Sequence, residues 1–246
     1  MDSYKHDRNI SNPKCLNFIS MVYICILLVS AIIGGKLVVT PIGAVSAGSL
    51  TGPFWFILSD IIAEVYGYQY SKQIFVSAMI CELLFIFIAV FLIHLPSPAY
   101  WHLQFAYNFA IDNLPMIYLC QFVAIIIAWN INVRCLLRWK ILLRGKYFWL
   151  RSIGSSGISE VIFSIISVGL NMLARKHSLG FNIEDLVKIV FGSIFLKILF
   201  SVIFAYPAQL TVKILKYIED IKLIDSNISI GNYFKEKEDE DSKVSS

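Results

Sequence analysis

Stretches of about twenty residues with almost no charge recur along this 246-residue chain, and they confine it to a membrane. Residues 15–35 carry no charged side chain. A helix of that length crosses roughly 30 Å of hydrocarbon. Further runs lie at 73–93, with Glu82 the one charge, at 113–133 with none, at 152–174 with Glu160, and at about 186–212 with Lys197 central. Charged residues make up only 15% of the chain and hydrophobic residues 57%, and the mean hydropathy is +0.70. Soluble domains carry about 25% charged residues, so a soluble core is excluded.

A further helix is expected from near Pro53, a residue favoured in a first turn, to about Tyr66. It is short for a span. The segment before it, 36–52, contains Pro41, Gly43, Gly48 and Gly52 and reads as a loop or partly re-entrant stretch, because proline removes a backbone donor and glycine weakens a helix. The expected fold is therefore an all-α integral membrane protein of six transmembrane helices, helix 2 being short and preceded by a Gly/Pro-broken segment. Residues 1–14 form a polar N-terminal tail, 15–216 the membrane domain, and 217–246 a polar tail expected to be disordered.

The most informative stretch within this frame is Ser59-Asp60-Ile61-Ile62-Ala63-Glu64-Val65-Tyr66-Gly67. Asp60 and Glu64 are four residues apart and share one helix face, about 6 Å apart along the axis. A charge inside a bilayer costs at least ~2.5–3.5 kcal/mol, so a cation, proton, substrate or water-filled cavity must offset the pair. Glu160 on helix 5 and Lys197 at mid-depth on helix 6 are the partners expected to converge with them, and Glu82 is a further buried acid. An ammonium facing carboxylates offsets part of their desolvation. A carboxylate also accepts two parallel hydrogen bonds, as a guanine-like edge would offer, while Trp55, Tyr66 and Phe163 could stack on a ring. Cations, amines or protons suit the carboxylates equally well.

The sequence also excludes several classes. The five cysteines form no C-x-x-C pair and no metal-ligand spacing, so neither a metal nor a cofactor is expected. The four histidines fall in tails or connecting loops, and neither H-E-x-x-H nor G-x-S-x-G occurs. There is no G-x-x-x-x-G-K-[ST], so the chain does not itself hydrolyse ATP. The basic, aromatic stretch 134–151 reads as an amphipathic loop on anionic lipid rather than a nucleic-acid surface. Sixteen of the 21 Lys and Arg lie on the side that carries both termini, which places the termini in the cytoplasm.

The D-x-x-x-E-V-Y-G of Asp60 to Gly67 resembles the signature of the queuosine precursor transporter family, also called the vitamin uptake transporter or DUF165 family. The likeness continues in Gly157-Ile158-Ser159-Glu160 and in Phe195-Leu196-Lys197-Ile198-Leu199 followed by Tyr206-Pro207. It spans roughly residues 15–216. The resemblance implies a bacterial inner-membrane importer of 7-deazaguanines (7-cyano-7-deazaguanine, 7-aminomethyl-7-deazaguanine or queuine) that feed the tRNA modification queuosine. It carries Asp60, Glu64, Tyr66, Glu160 and Lys197 over as substrate-binding positions and Gly67 as a helix-end or packing position. The aspartate familiar at position 160 is replaced here by glutamate. Proton coupling, a homo-oligomer and a partner ATPase stay open. The alternatives are the substrate-binding subunit of an energy-coupling-factor importer and, behind it, an intramembrane enzyme.

Overall fold

The computed structural model describes residues 13–41, 43–98, 100–143, 145–171 and 183–219. The expected N-terminal tail as far as residue 12, most of the loop 175–185, and the C-terminal tail from 220 lie outside the described residues.

The uncharged first run forms α1, Leu16–Ile33. Its buried positions, Leu16, Ile19, Tyr23, Leu27, Ser30 and Ala31, recur at three- and four-residue spacing and so line one face. The opposite face leaves Phe18 and Met21 exposed, as lipid contact requires.

The segment expected to be a loop is instead an antiparallel hairpin, β1 Leu37–Thr40 and β2 Gly43–Ser46, with Leu37 opposite Ser46 and Thr40 opposite Gly43. The run Val38-Val39-Thr40 is β-branched and favours extended backbone. Gly43 takes the turn with φ 124°, and Thr40 donates to its carbonyl at 2.8 Å. The second strand is buried in its latter half: Val45 is fully covered and abuts Gly192.

Helix α2, Gly48–Val65, therefore begins before Pro53 rather than at it. Pro53 sits in the second turn, where its missing N–H frees one carbonyl near the helix start. α2 buries thirteen of its 18 residues and is the central post of the bundle. Around it stand α3 (Tyr68–Ile93), α5 (Leu114–Leu142), α6 (Phe148–Phe163) and α7 (Ile183–Ile218). The short α4 (Gln104–Ile111) interrupts the expected 94–111 loop. Among the described residues five helices are long and apolar enough to cross a membrane, and α2 is not one of them. The expectation of six spans is thus met in five. α2 runs between the same two ends of the bundle, but with Asp60 and Glu64 inside it, it is sheathed by the others.

One end of the bundle carries the hairpin and α4. The other carries the start of α1, the α2–α3 and α5–α6 connections and the end of α7, and is called here the basic end. Gly67 joins α2 to α3 with φ 95° and ψ 175°, a region open almost only to glycine and costing other residues about 1–3 kcal/mol. Gly67→Ala should lower the melting temperature of the detergent-solubilised protein, whereas Gly157→Ala, with no atom within 4 Å of the added carbon, should leave it unchanged.

Candidate functional site

Placing α2 at the centre brings its two carboxylates to two different polar clusters. Asp60 is fully buried. It accepts from Asn132 Nδ2 on α5 at 2.5 Å, and from Ser152 Oγ at 2.5 Å and Ser156 Oγ at 2.9 Å on α6. The four-residue spacing of Ser152 and Ser156 puts both hydroxyls on the same face, opposite one oxygen. One turn on, Glu64 meets three cations: Arg151 Nη1 at 3.2 Å from α6, Lys140 Nζ at 3.3 Å from α5 and Lys216 Nζ at 3.1 Å from α7. Arg151 is itself fully buried.

The reading of 134–151 as a lipid-surface loop is corrected at this point. α5 continues helically to Leu142, so Lys140 points inward from a helix, and Arg151 lies in the first turn of α6. The signal was available: Lys140 and Arg151 flank a short turn that must sit at the depth of Glu64.

Below Glu64, Tyr66 Oη donates to Glu219 Oε1 at 2.8 Å. Glu219 also accepts the backbone N–H of Cys15 at 2.8 Å and of Lys14 at 3.0 Å. These are orphan donors at the start of α1, which has no cap of its own. Burial works to raise the Glu219 carboxyl, but the Cys15 and Lys14 amides, the Tyr66 hydroxyl and the Lys14 charge together hold it below its ordinary value. With the folded-state value lowered, the clamp's contribution is complete above the usual carboxylate range and is lost as pH falls below that range through the lowered value.

Toward the hairpin end the character changes. A cavity of about 40 Å³ lies between α1, the hairpin, α2, α3, α5, α6 and α7, walled by Trp55, Glu82, Gln121, Phe163, Ser167 and Lys197 among others. A space of that size has room for a few waters. Lys197 is 1% exposed. Its stem lies along Gly52, where an added Cβ would come 3.2 Å from Cε, and its ammonium sits 4.5 Å from the Phe163 ring centroid. Nζ donates to Ser164 Oγ at 2.9 Å. Ser164 opens a π-helical turn, Ser164–Val168, which widens α6 where it faces the cavity; such turns recur at functional sites. Glu160, fully buried one turn earlier, accepts from Ser201 Oγ at 3.0 Å. Its second oxygen has no partner among the described residues.

Of the sequence-predicted residues, Lys197 therefore lines the cavity, and Glu160 sits beside it, one turn along the contact of α6 with α7 and outside the cavity lining. Asp60 stands with Asn132, Ser152 and Ser156, Glu64 with its three cations, and Tyr66 with Glu219. Gly67 closes α2. Sequence reasoning missed Asn132, Arg151, Gln121 and Glu219, which sit in stretches with no motif. Among the described residues no group of three His, Cys, Asp or Glu could hold a metal ion.

Removing a cation from Glu64 should matter in proportion to its burial. Arg151→Met should cost about 3–5 kcal/mol, the range for breaking a buried pair. Lys140→Met, with 17% of its side chain exposed, should cost less. Thermal unfolding of the two purified variants beside the parent checks the order.

The family model described as "Putative vitamin uptake transporter" matches residues 46–211. No curated protein and no solved structure gives a match. The matched region covers more than half of the chain and includes the hairpin's last residue, all of α2, the Asp60 and Glu64 clusters, Glu160 and Lys197. With its apolar helices it describes a multi-pass membrane protein of transport type rather than an enzyme. The chain belongs to the vitamin uptake transporter family.

Proposed function

We propose that the chain imports queuosine precursors, 7-deazaguanines such as 7-cyano-7-deazaguanine, 7-aminomethyl-7-deazaguanine or queuine, across a bacterial inner membrane to support queuosine formation in tRNA. The observation that supports this reading is unmatched hydrogen-bonding capacity around one cavity. An ammonium has three donors, and among the described residues Lys197 makes one hydrogen bond, to Ser164. Beside the cavity, Glu160 Oε2 has no partner among the described residues. Trp55 and Phe163 line the same space, their rings 5.5 Å apart and edge to face.

A 7-deazaguanine answers each of these. Its ring carbonyl accepts from Lys197, its neighbouring ring N–H and amino group donate to a carboxylate, and its flat ring stacks on an aromatic. The present cavity is smaller than such a ring, so binding requires the walls, Trp55 and the hairpin foremost, to part. Lys197 and Glu160 are assigned to the ligand. Asp60, Glu64 and Tyr66 are assigned to holding α2, since their oxygens already have protein partners.

The orientation follows from charge. Lys140, Lys146, Arg151, Lys213 and Lys216 lie at the basic end with the start of α1 and the end of α7, so that end is cytoplasmic by the positive-inside bias. The cavity then lies in the outer half and the polar clusters seal the inner half.

The test is uptake in a bacterium that cannot make queuosine and lacks its own importer, reading queuosine in tRNA after feeding each precursor separately. The parent protein should restore the modification with at least one precursor, and no restoration with any of them would refute the reading. Lys197→Met should lose uptake at limiting substrate, because leaving a ligand group unpaired costs about 1–3 kcal/mol, roughly 5- to 150-fold in affinity. The double variant Lys197→Met/Glu160→Gln should express better than the single and stay inactive. Full activity in the double variant would reduce Lys197 to a counter-ion of Glu160.

A further inference from the structure

Glu82 is the one buried acid to which no cluster above gives a role. It projects from the middle of α3, is 3% exposed and forms part of the cavity wall. Asp60 has three donors and Glu64 three cations; Glu82 has neither a hydrogen bond nor an ion pair among the described residues. The titratable side chains around it come from four helices. Tyr23 on α1 is 1% exposed, and its hydroxyl is buried without a partner. Tyr118 on α5 directs its hydroxyl to the Met79 carbonyl at 3.1 Å, one turn before Glu82 on α3 itself. Lys197 of α7 shares the cavity with it, with Glu160 of α6 behind. α2 and the hairpin add Trp55, Ser46, Ser49 and Gly48 to the wall and no charge.

An isolated carboxylate in such surroundings carries a heavy desolvation penalty, and the group has one inexpensive remedy, a proton. A metal cation is a poor fit, since sodium-like ions want several oxygen ligands and the nearby oxygens are two phenols and a few serines. The cavity gives the group a route to water. The unpartnered Tyr23 hydroxyl is a donor and an acceptor waiting for the carboxyl in either state.

We propose that Glu82 is the proton-binding site that couples transport, separate from the Lys197–Glu160 pair that holds the substrate. This rests on the transport reading above. Glu82 takes a proton from the outer water through the cavity, the loaded cavity turns inward, and the same proton leaves Glu82 to the cytoplasmic water, so that one charge crosses with each ligand. One charge moved across about 100 mV supports roughly fifty-fold accumulation.

Two readouts on the purified protein in liposomes test this. The first needs no substrate. Infrared spectra across a pH titration should show a protonated-carboxyl band that fades as pH rises, is missing in Glu82→Gln, and returns at shifted frequency in Glu82→Asp. The second follows the three labelled 7-deazaguanines singly. Glu82→Gln should still exchange internal for external label, at a rate that no longer depends on pH, yet lose uphill accumulation, the separation expected when the proton and the ligand are held by different groups. Should Glu82→Gln fail to assemble, Glu82→Asp carries the test, with a displaced titration and a displaced pH optimum of accumulation. A titrating band that survives in Glu82→Gln overturns the proposal, as does uphill accumulation by Glu82→Gln equal to the parent's. If none of the compounds moves in the parent while the band still depends on Glu82, the substrate reading fails and the proton site stands.

Discussion

The grip of Lys140, Arg151 and Lys216 on Glu64 is the interaction on which the rest of the arrangement depends. A helix with two carboxylates on one face has no stable place against lipid. It becomes tolerable only when other helices supply donors at the right depth. The three cations come from α5, α6 and α7, so meeting the needs of Glu64 fixes those three helices around α2. Asp60, a turn away, repeats the constraint with neutral donors from α5 and α6. That difference has a physical sense. The charged cluster lies nearer the basic end, where lysine stems reach water, and the neutral one lies deeper, where an added charge would cost most.

Taken from the basic end upward, α2 passes through successive polar layers: Tyr66 with Glu219 and the start of α1, Glu64 with three cations, Asp60 with an amide and two hydroxyls. Each layer ties α2 to a different set of neighbours, and every oxygen in them is used. The fourth layer breaks the pattern. Around Lys197, Glu160 and Glu82 the polar groups outnumber their partners, α6 loosens into a π turn, and a cavity opens. A bundle whose carboxylate oxygens are all paired at one end, with Arg151 Nη2 and Ser71 Oγ left over there, and unpaired at the other is what a carrier with one gate shut would present. Layers built from hydrogen bonds and ion pairs can be exchanged for water when that gate opens, which an apolar plug could not do as readily.

Much of this was legible in the sequence, for a simple reason. Lipid tolerates so few charges that each uncharged run marks a helix, and each charge inside a run marks a contact. Asp60, Glu64, Glu160 and Lys197 were found that way. What the sequence hid were the partners. Arg151 and Lys140 lie in a basic stretch whose depth depends on where α5 ends, and α5 runs on to Leu142. Asn132, Ser152 and Ser156 are small polar residues that membrane helices carry for many reasons, and only the packing of α5 and α6 against α2 singles them out. The hairpin was masked by Pro41 and Gly43, which signal a break but not what fills it; the β-branched run Val38 to Thr40 was the usable cue. α2 was expected among the spans, and its own charges are why it became the core instead.

The central claim is that the cavity beside Lys197 is where the transported ring binds. The most direct measurement is a structure of the protein determined by cryo-electron microscopy with a saturating 7-deazaguanine. The account predicts planar density between Trp55 and Phe163, its carbonyl toward Lys197 Nζ and its amino edge toward Glu160, with the Glu64 cluster intact if the gate stays shut. Ring density lodged instead among Asp60, Asn132, Ser152 and Ser156, with the cavity beside Lys197 empty, would contradict it.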